Sequence, residues 1–135
     1  MRLKEQFVPY DLAVKLREKG FNEICIALIT EKDFLIPLRF DDEEELEFNQ
    51  EIKKHNNVPC IPTPSYQQAC QWLMDKHNIK FGIHPCKDDS NSPNEFYLEI
   101  YKNNSLVWGN ICHSDSGYYF FFEAIISTTL KLNLI

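Results

Sequence analysis

Thr63-Pro64-Ser65-Tyr66-Gln67-Gln68-Ala69-Cys70-Gln71-Trp72-Leu73-Met74-Asp75-Lys76-His77-Asn78 is the one segment of this chain whose start, periodicity and stop agree on a single structure. Thr63 is suited to cap a helix with Pro64 in its first turn, where the missing N–H costs nothing. Asn78 tolerates the left-handed conformation that ends one. Tyr66, Ala69, Cys70 and Leu73 recur at i, i+3, i+4 and i+7, with Trp72 and Met74 widening the stripe. The spacing predicts a central helix with one apolar face, which a strand-rich remainder must cover.

Toward the N-terminus, residues 9–19 read as a first helix: Pro9 opens it, Leu12, Ala13 and Leu16 supply its stripe, and Gly20 stands at its end. Residues 23–30, a run of β-branched and apolar side chains, read as a central strand. A tight turn at Glu31-Lys32-Asp33 leads into a second strand over 34–40, placed at an edge because Pro37 has no N–H to donate. Residues 41–51 form an acidic run whose like charges keep it solvated. Pro59, Pro62 and Pro64 then hold the backbone extended up to the central helix. Residues 41–63 are thus read as one acidic loop inside a single domain spanning 1–135.

After the central helix, residues 79–84 alternate apolar with small or polar side chains, as a half-buried strand does. Residues 87–94 are a polar turn cluster. Two further strand patterns, 96–101 and 105–108, flank Lys102-Asn103-Asn104 and predict a hairpin. Ser114-Asp115-Ser116 offers caps for a last helix over 118–132, with Phe121, Ala124, Ile125, Thr128 and Leu132 on one face. The order α-β-β-α-β-β-β-α defines an α+β fold: three helices against an antiparallel sheet of about five strands. Its second half has the element order of double-stranded-RNA-binding domains, yet the last helix opens on Ser116-Gly117-Tyr118-Tyr119-Phe120 without a lysine cluster.

With 135 residues, 44% of them hydrophobic, the chain holds enough apolar surface for one core. The net charge of -6 is concentrated: residues 41–63 carry seven acids against Lys53 and Lys54. No basic stripe appears, which argues against tight nucleic-acid binding. Neither a secretory signal nor a membrane-spanning run is present, so the expected location is cytoplasmic, with no membrane partner. Five scattered cysteines, Cys25, Cys60, Cys70, Cys86 and Cys112, read as reduced thiols.

No convergent catalytic set is visible, so the expectation leans away from an enzyme, and no cofactor fingerprint appears. For a metal, His55 with Cys60, His84 with Cys86, and Cys112-His113 lack the paired spacings of zinc sites. A thiol nucleophile at Cys60, Cys86 or Cys112 would need a facing histidine, and neighbours in a strand point to opposite faces. Two features point to a protein partner. Asp41, Asp42, Glu43, Glu44 and Glu45 suit a basic surface, and Tyr97, Tyr101 and Trp108 lie on one hairpin that would present a binding or homodimer face.

The stretch 5–13 with Leu16 and Gly20-Phe21, followed by 62–69 and Trp72, resembles a family of small uncharacterised proteins from gut Bacteroides-type bacteria and their phages and mobile elements. The resemblance covers most of the chain and carries no catalytic residues. It implies a mobile-element origin and a cytosolic setting and leaves the activity open. With no convergent catalytic set in the sequence, the reading is a non-enzymatic protein-interaction or accessory module of a phage or mobile element; the alternative is an accessory nucleic-acid-binding protein using the αβββα half. The acidic run departs from that family.

Overall fold

A computed structural model describes residues 3–38, 45, 47, 49–86, 95–113 and 119–135. The fold is α+β, and the chain divides into two compact units, Met1–Ala69 and Cys70–Ile135.

In the first unit, helix α1 (Tyr10–Glu18) buries Leu12, Ala13 and Leu16. Its N-terminus is satisfied from a distance: the Tyr10 N–H donates to Asp33 Oδ1 at 2.8 Å, and Asp33 itself takes a positive φ of 60° in the turn between the first two strands. Its C-terminus is a Schellman motif. Gly20, at φ 101°, donates to Arg17 O at 3.0 Å, and Phe21 donates to Leu16 O at 3.0 Å. The buried Phe21 and Leu16 supply the apolar contact that accompanies this stop.

Strand β1 (Ala27–Thr30) is buried throughout and pairs antiparallel with β2 (Leu35–Pro37), which lies at an edge as Pro37 requires. β1 is shorter than the predicted 23–30 because another group claims Cys25. The Cys25 N–H donates to Gln50 Oε1 at 2.8 Å and Gln50 Nε2 donates back to Cys25 O at 2.7 Å, so one side-chain amide stands in for a ladder partner.

The stretch expected as the end of a loop is instead a hairpin: β3 (Lys54–His55) and β4 (Val58–Pro62) turn at Asn56 and Asn57, both at positive φ. β4 also pairs with β1, giving the order β2-β1-β4-β3. Prolines fit inside β4 because of where their missing donors fall. The Cys60 N–H bonds to Lys53 O at 2.9 Å, so by alternation the nitrogen of Pro62 faces the same side, beyond the end of the two-residue β3. Of the acidic run, Glu45 and Glu47 are exposed and helical.

Helix α2 (Tyr66–His77) begins two residues later than predicted. Ser65 Oγ accepts the Gln68 N–H at 3.1 Å, whereas Thr63 is fully buried and donates its hydroxyl to Val8 O at 2.6 Å. Val8 N–H also bonds to Pro64 O, and Phe7 bridges Ser65, so residues 63–65 are held extended and the helix starts after them. Tyr66, Ala69, Cys70, Trp72 and Leu73 are buried as expected; Met74, placed in the same stripe by the sequence, is exposed. Asn78 takes φ 50° and ends the helix.

In the second unit, β5 (Ile79–Pro85), β6 (Glu95–Lys102) and β7 (Ser105–His113) form an antiparallel sheet in chain order. Asn103 and Asn104, at φ 51° and 65°, make the two-residue turn between β6 and β7. Helix α3 (Tyr119–Lys131) covers one face. Phe121 lies 4.6 Å from Phe96 and Phe122 packs edge-on to Phe81 at 5.9 Å. Ile79, Leu98, Ile100, Phe121, Ile125 and Ile126 are buried there, each contributing roughly 1.5–3 kcal/mol. The buried stripe of α3 is rotated from the predicted one: Ile126 and Thr129 are inside and Leu132 is outside, with the Thr129 hydroxyl bonded to Ile125 O at 2.8 Å.

In place of one sheet of about five strands, seven strands among the described residues form two antiparallel sheets, of four and three strands. The hairpin at 54–62 gives β1 a second neighbour within its own unit, and β5, β6 and β7 pair among themselves.

Candidate functional site

The face of the three-stranded sheet opposite α3 carries charged and polar side chains together with two tyrosines. Period-two alternation puts Tyr97, Glu99 and Tyr101 of β6 on this face, because Leu98 and Ile100 are buried on the other. Register completes it: Lys80, Gly82 and His84 of β5 lie opposite Tyr101, Glu99 and Tyr97. From β7, Gly109 lies opposite Glu99 and Ile111 opposite Tyr97. A bulge that leaves Val107 without a partner brings Leu106 opposite Tyr101.

Glu99 is the centre of this face, flanked by a glycine on each side in register. His84 Nε2 lies 2.9 Å from Glu99 Oε1, and the Tyr101 hydroxyl donates to Glu99 Oε2. The Glu99 side chain is only 15% exposed, against 58% for His84. The carboxylate that accepts the Tyr101 proton holds that phenol above its ordinary pKa. Both glycines are seats. A Cβ at Gly82 would come within 2.7 Å of His84 Nε2, and one at Gly109 would overlap the Tyr97 hydroxyl and come within 3.0 Å of Cζ. His84 and Tyr97 therefore lie down over bare backbone, and Lys80 Nζ closes one end of the face by donating to Asn104 Oδ1 at 3.0 Å.

Of the residues singled out by sequence, Tyr97 and Tyr101 share this face. Trp108 does not: it lies opposite the buried Ile100 on the α3 side and is half-buried. Asp41, Asp42, Glu43 and Glu44 lie outside the described residues, and Glu45 is exposed on helical backbone in the first unit. His84 and Glu99 were not singled out as part of this face, although the pattern Tyr97-x-Glu99-x-Tyr101 already marks one side of a strand.

Burial holds four of the five thiols toward the protonated form. Burial pushes Cys25 up to about 11 despite the Arg17 guanidinium 3.5 Å from its sulfur, and pushes Cys70 up to about 12. Burial also raises Cys60 and Cys112. Cys112 pairs with Phe96 and His113 with Glu95, so these neighbours occupy opposite faces of β7. Among the described residues no group of three His, Cys, Asp or Glu side chains is placed to hold a metal ion. In the first unit, Leu3, Phe34 and Leu35 line a shallow hollow of about 410 Å³; the Asp33 carboxylate at its rim is already engaged by α1.

No helix among the described residues is long and apolar enough to cross a membrane. No family model matches the chain, and neither a curated protein nor a solved structure is similar to it.

Proposed function

We propose that this chain is a non-enzymatic module that binds a protein partner through the open face of its three-stranded sheet, as a cytoplasmic accessory of a phage or mobile element. The observation that carries the reading is the platform itself. Tyr101 is bonded to a carboxylate that stands between two glycines, Tyr97 lies over one of those glycines, and Leu106 and Ile111 stand exposed beside them on the same face. Amphipathic aromatics with restricted rotamers, set among apolar neighbours, are what interface centres are made of. His84 and Glu99 resemble a base with its orienting carboxylate, but they stand on an open sheet face without the enclosure that would exclude water from a reaction. The partner is expected to carry basic residues, because the chain is at -6 and seven of its acids fall in 41–63.

The test is capture on the immobilised chain beside a Tyr97→Ala/Tyr101→Ala double variant of equal thermal stability. Retention of a protein by the first and its loss from the second supports the reading, and equal retention by both refutes it. The second reading, an accessory nucleic-acid-binding protein, draws on the α2-β5-β6-β7-α3 order. Binding that falls steeply with salt would favour it.

A further inference from the structure

We infer that β7 pairs antiparallel with β7 of a second copy, joining two three-stranded sheets into one continuous sheet across a two-fold axis. This surface is the main-chain edge of β7; it borders the side-chain face proposed above, on which Leu106 and Ile111 also stand.

A sheet edge presents unpaired N–H and C=O groups, and chains that remain monomeric blunt their edges with charge, proline or brevity. Three of the four sheet edges among the described residues are blunted. β2 has Pro37; β3 is two residues long and consists of Lys54 and His55; β5 carries Lys80, His84 and Pro85. β7 is the exception. Its nine residues, Ser105-Leu106-Val107-Trp108-Gly109-Asn110-Ile111-Cys112-His113, include no Lys, Arg, Asp, Glu or Pro. Seven of them are exposed, with Leu106 at 53% and Ile111 at 58%.

The Ile111 N–H points away from β6 and is met by the side chain of its own neighbour, Asn110 Oδ1 at 2.9 Å, in an exposed bond. The amide oxygen occupies the place where the carbonyl of an added strand would sit. Exchanging one exposed hydrogen bond for a ladder bond leaves no donor unpaired.

The occupant follows from charge and symmetry. On a chain at -6, an uncharged strand of this length is a surface where an identical copy meets no like charge. Antiparallel pairing about a two-fold axis is isologous: with the axis at Gly109, Gly109 faces its own counterpart and residues equally far to either side of it face each other. With Gly109 at that centre, the strands approach without a side chain to clear. A charged foreign peptide would find no opposite charge on this strand.

The test is sedimentation velocity of the full chain from micromolar to millimolar concentration, beside Ile111→Lys. Amide hydrogen exchange is followed on the isolated protein, so no partner of the open face is involved. We expect a dimer that dissociates on dilution, protection of the Gly109 and Ile111 amides that rises with concentration, and self-association at least about tenfold weaker in I111K. Because Ile111 is exposed, the variant should keep the far-UV circular dichroism and urea midpoint of the parent. A chain that stays monomeric at millimolar concentration would overturn the inference, as would a dimer indifferent to I111K or one whose β7 amides gain no protection.

Discussion

Gly109 is predicted to be a glycine because of Tyr97 and not because of its own backbone, and a double-mutant cycle measures the difference. In a strand interior glycine is less favourable than alanine by roughly 0.5–1 kcal/mol, so Gly109→Ala should stabilise the sheet if nothing occupies the space. Here something does. The new methyl would overlap the Tyr97 hydroxyl and sit within 3.0 Å of Cζ, while the nearest backbone atom, Leu98 O, is 3.7 Å away. The ring must swing off its seat and lose its bed on β7, a loss of roughly 1 kcal/mol that cancels the backbone gain. In a Tyr97→Ala background the methyl meets only ordinary contacts, and the gain of about 0.5–1 kcal/mol should appear in full. Urea unfolding of the parent, Gly109→Ala, Tyr97→Ala and the double variant gives the coupling, expected near 1 kcal/mol. Additivity within about 0.3 kcal/mol would show that Tyr97 does not rest on Gly109.

At the end of α1, Gly20→Ala should cost about 1 kcal/mol, because a side chain is strained at φ 101° even though its Cβ would meet no neighbour; an unchanged denaturation midpoint would contradict the Schellman stop. Cys25 and Cys70, raised to about 11 and 12 when folded, ionise near 8.5 when unfolded, so the unfolded state loses its protons first as pH rises. Their contribution is whole below about pH 8.5 and is lost between there and pH 11–12, at up to about 1.4 kcal/mol per pH unit for each thiol. Cys70→Ala should flatten that slope in alkaline denaturation, and an unaltered slope would be inconsistent with the burial of this thiol. Changing Asp41, Asp42, Glu43, Glu44 and Glu45 to Asn and Gln should weaken capture of a basic partner, most at low salt; identical capture would remove the acidic run from the interface.

Local chemistry made several elements legible from sequence. Gly20 after a Leu12, Ala13, Leu16 stripe placed α1 correctly, and Lys102-Asn103-Asn104 between two alternating runs placed the β6–β7 hairpin. The same Asn-Asn signal at Asn56-Asn57 was overshadowed by the prolines around it, although both pairs adopt nearly the same left-handed angles. Pro62 is harmless inside β4 because its nitrogen faces past the end of the short β3, and β4 is held in its sheet by β1, far earlier in the chain. The other misses are of this long-range kind. Ser65 displaced Thr63 as the cap of α2 once Val8 claimed the Thr63 hydroxyl, and β1 was shortened by a side chain 25 residues away in sequence. On the open face, Tyr97 and Tyr101 were legible from alternation. Trp108 fell on the other side because the Val107 bulge reset the register of β7.

The most direct measurement of the proposed function is a tyrosine footprint: nitration of the chain in isolation and in complex with a captured partner, read by peptide mass. In isolation Tyr97 should be modified, and Tyr101 more slowly because its hydroxyl donates to Glu99 and is held above its ordinary pKa, while Tyr66, only 4% exposed, serves as the internal control that stays unreacted. On the proposed reading, partner binding protects Tyr97 and Tyr101 together. Equal modification of both tyrosines with and without a saturating partner would contradict it.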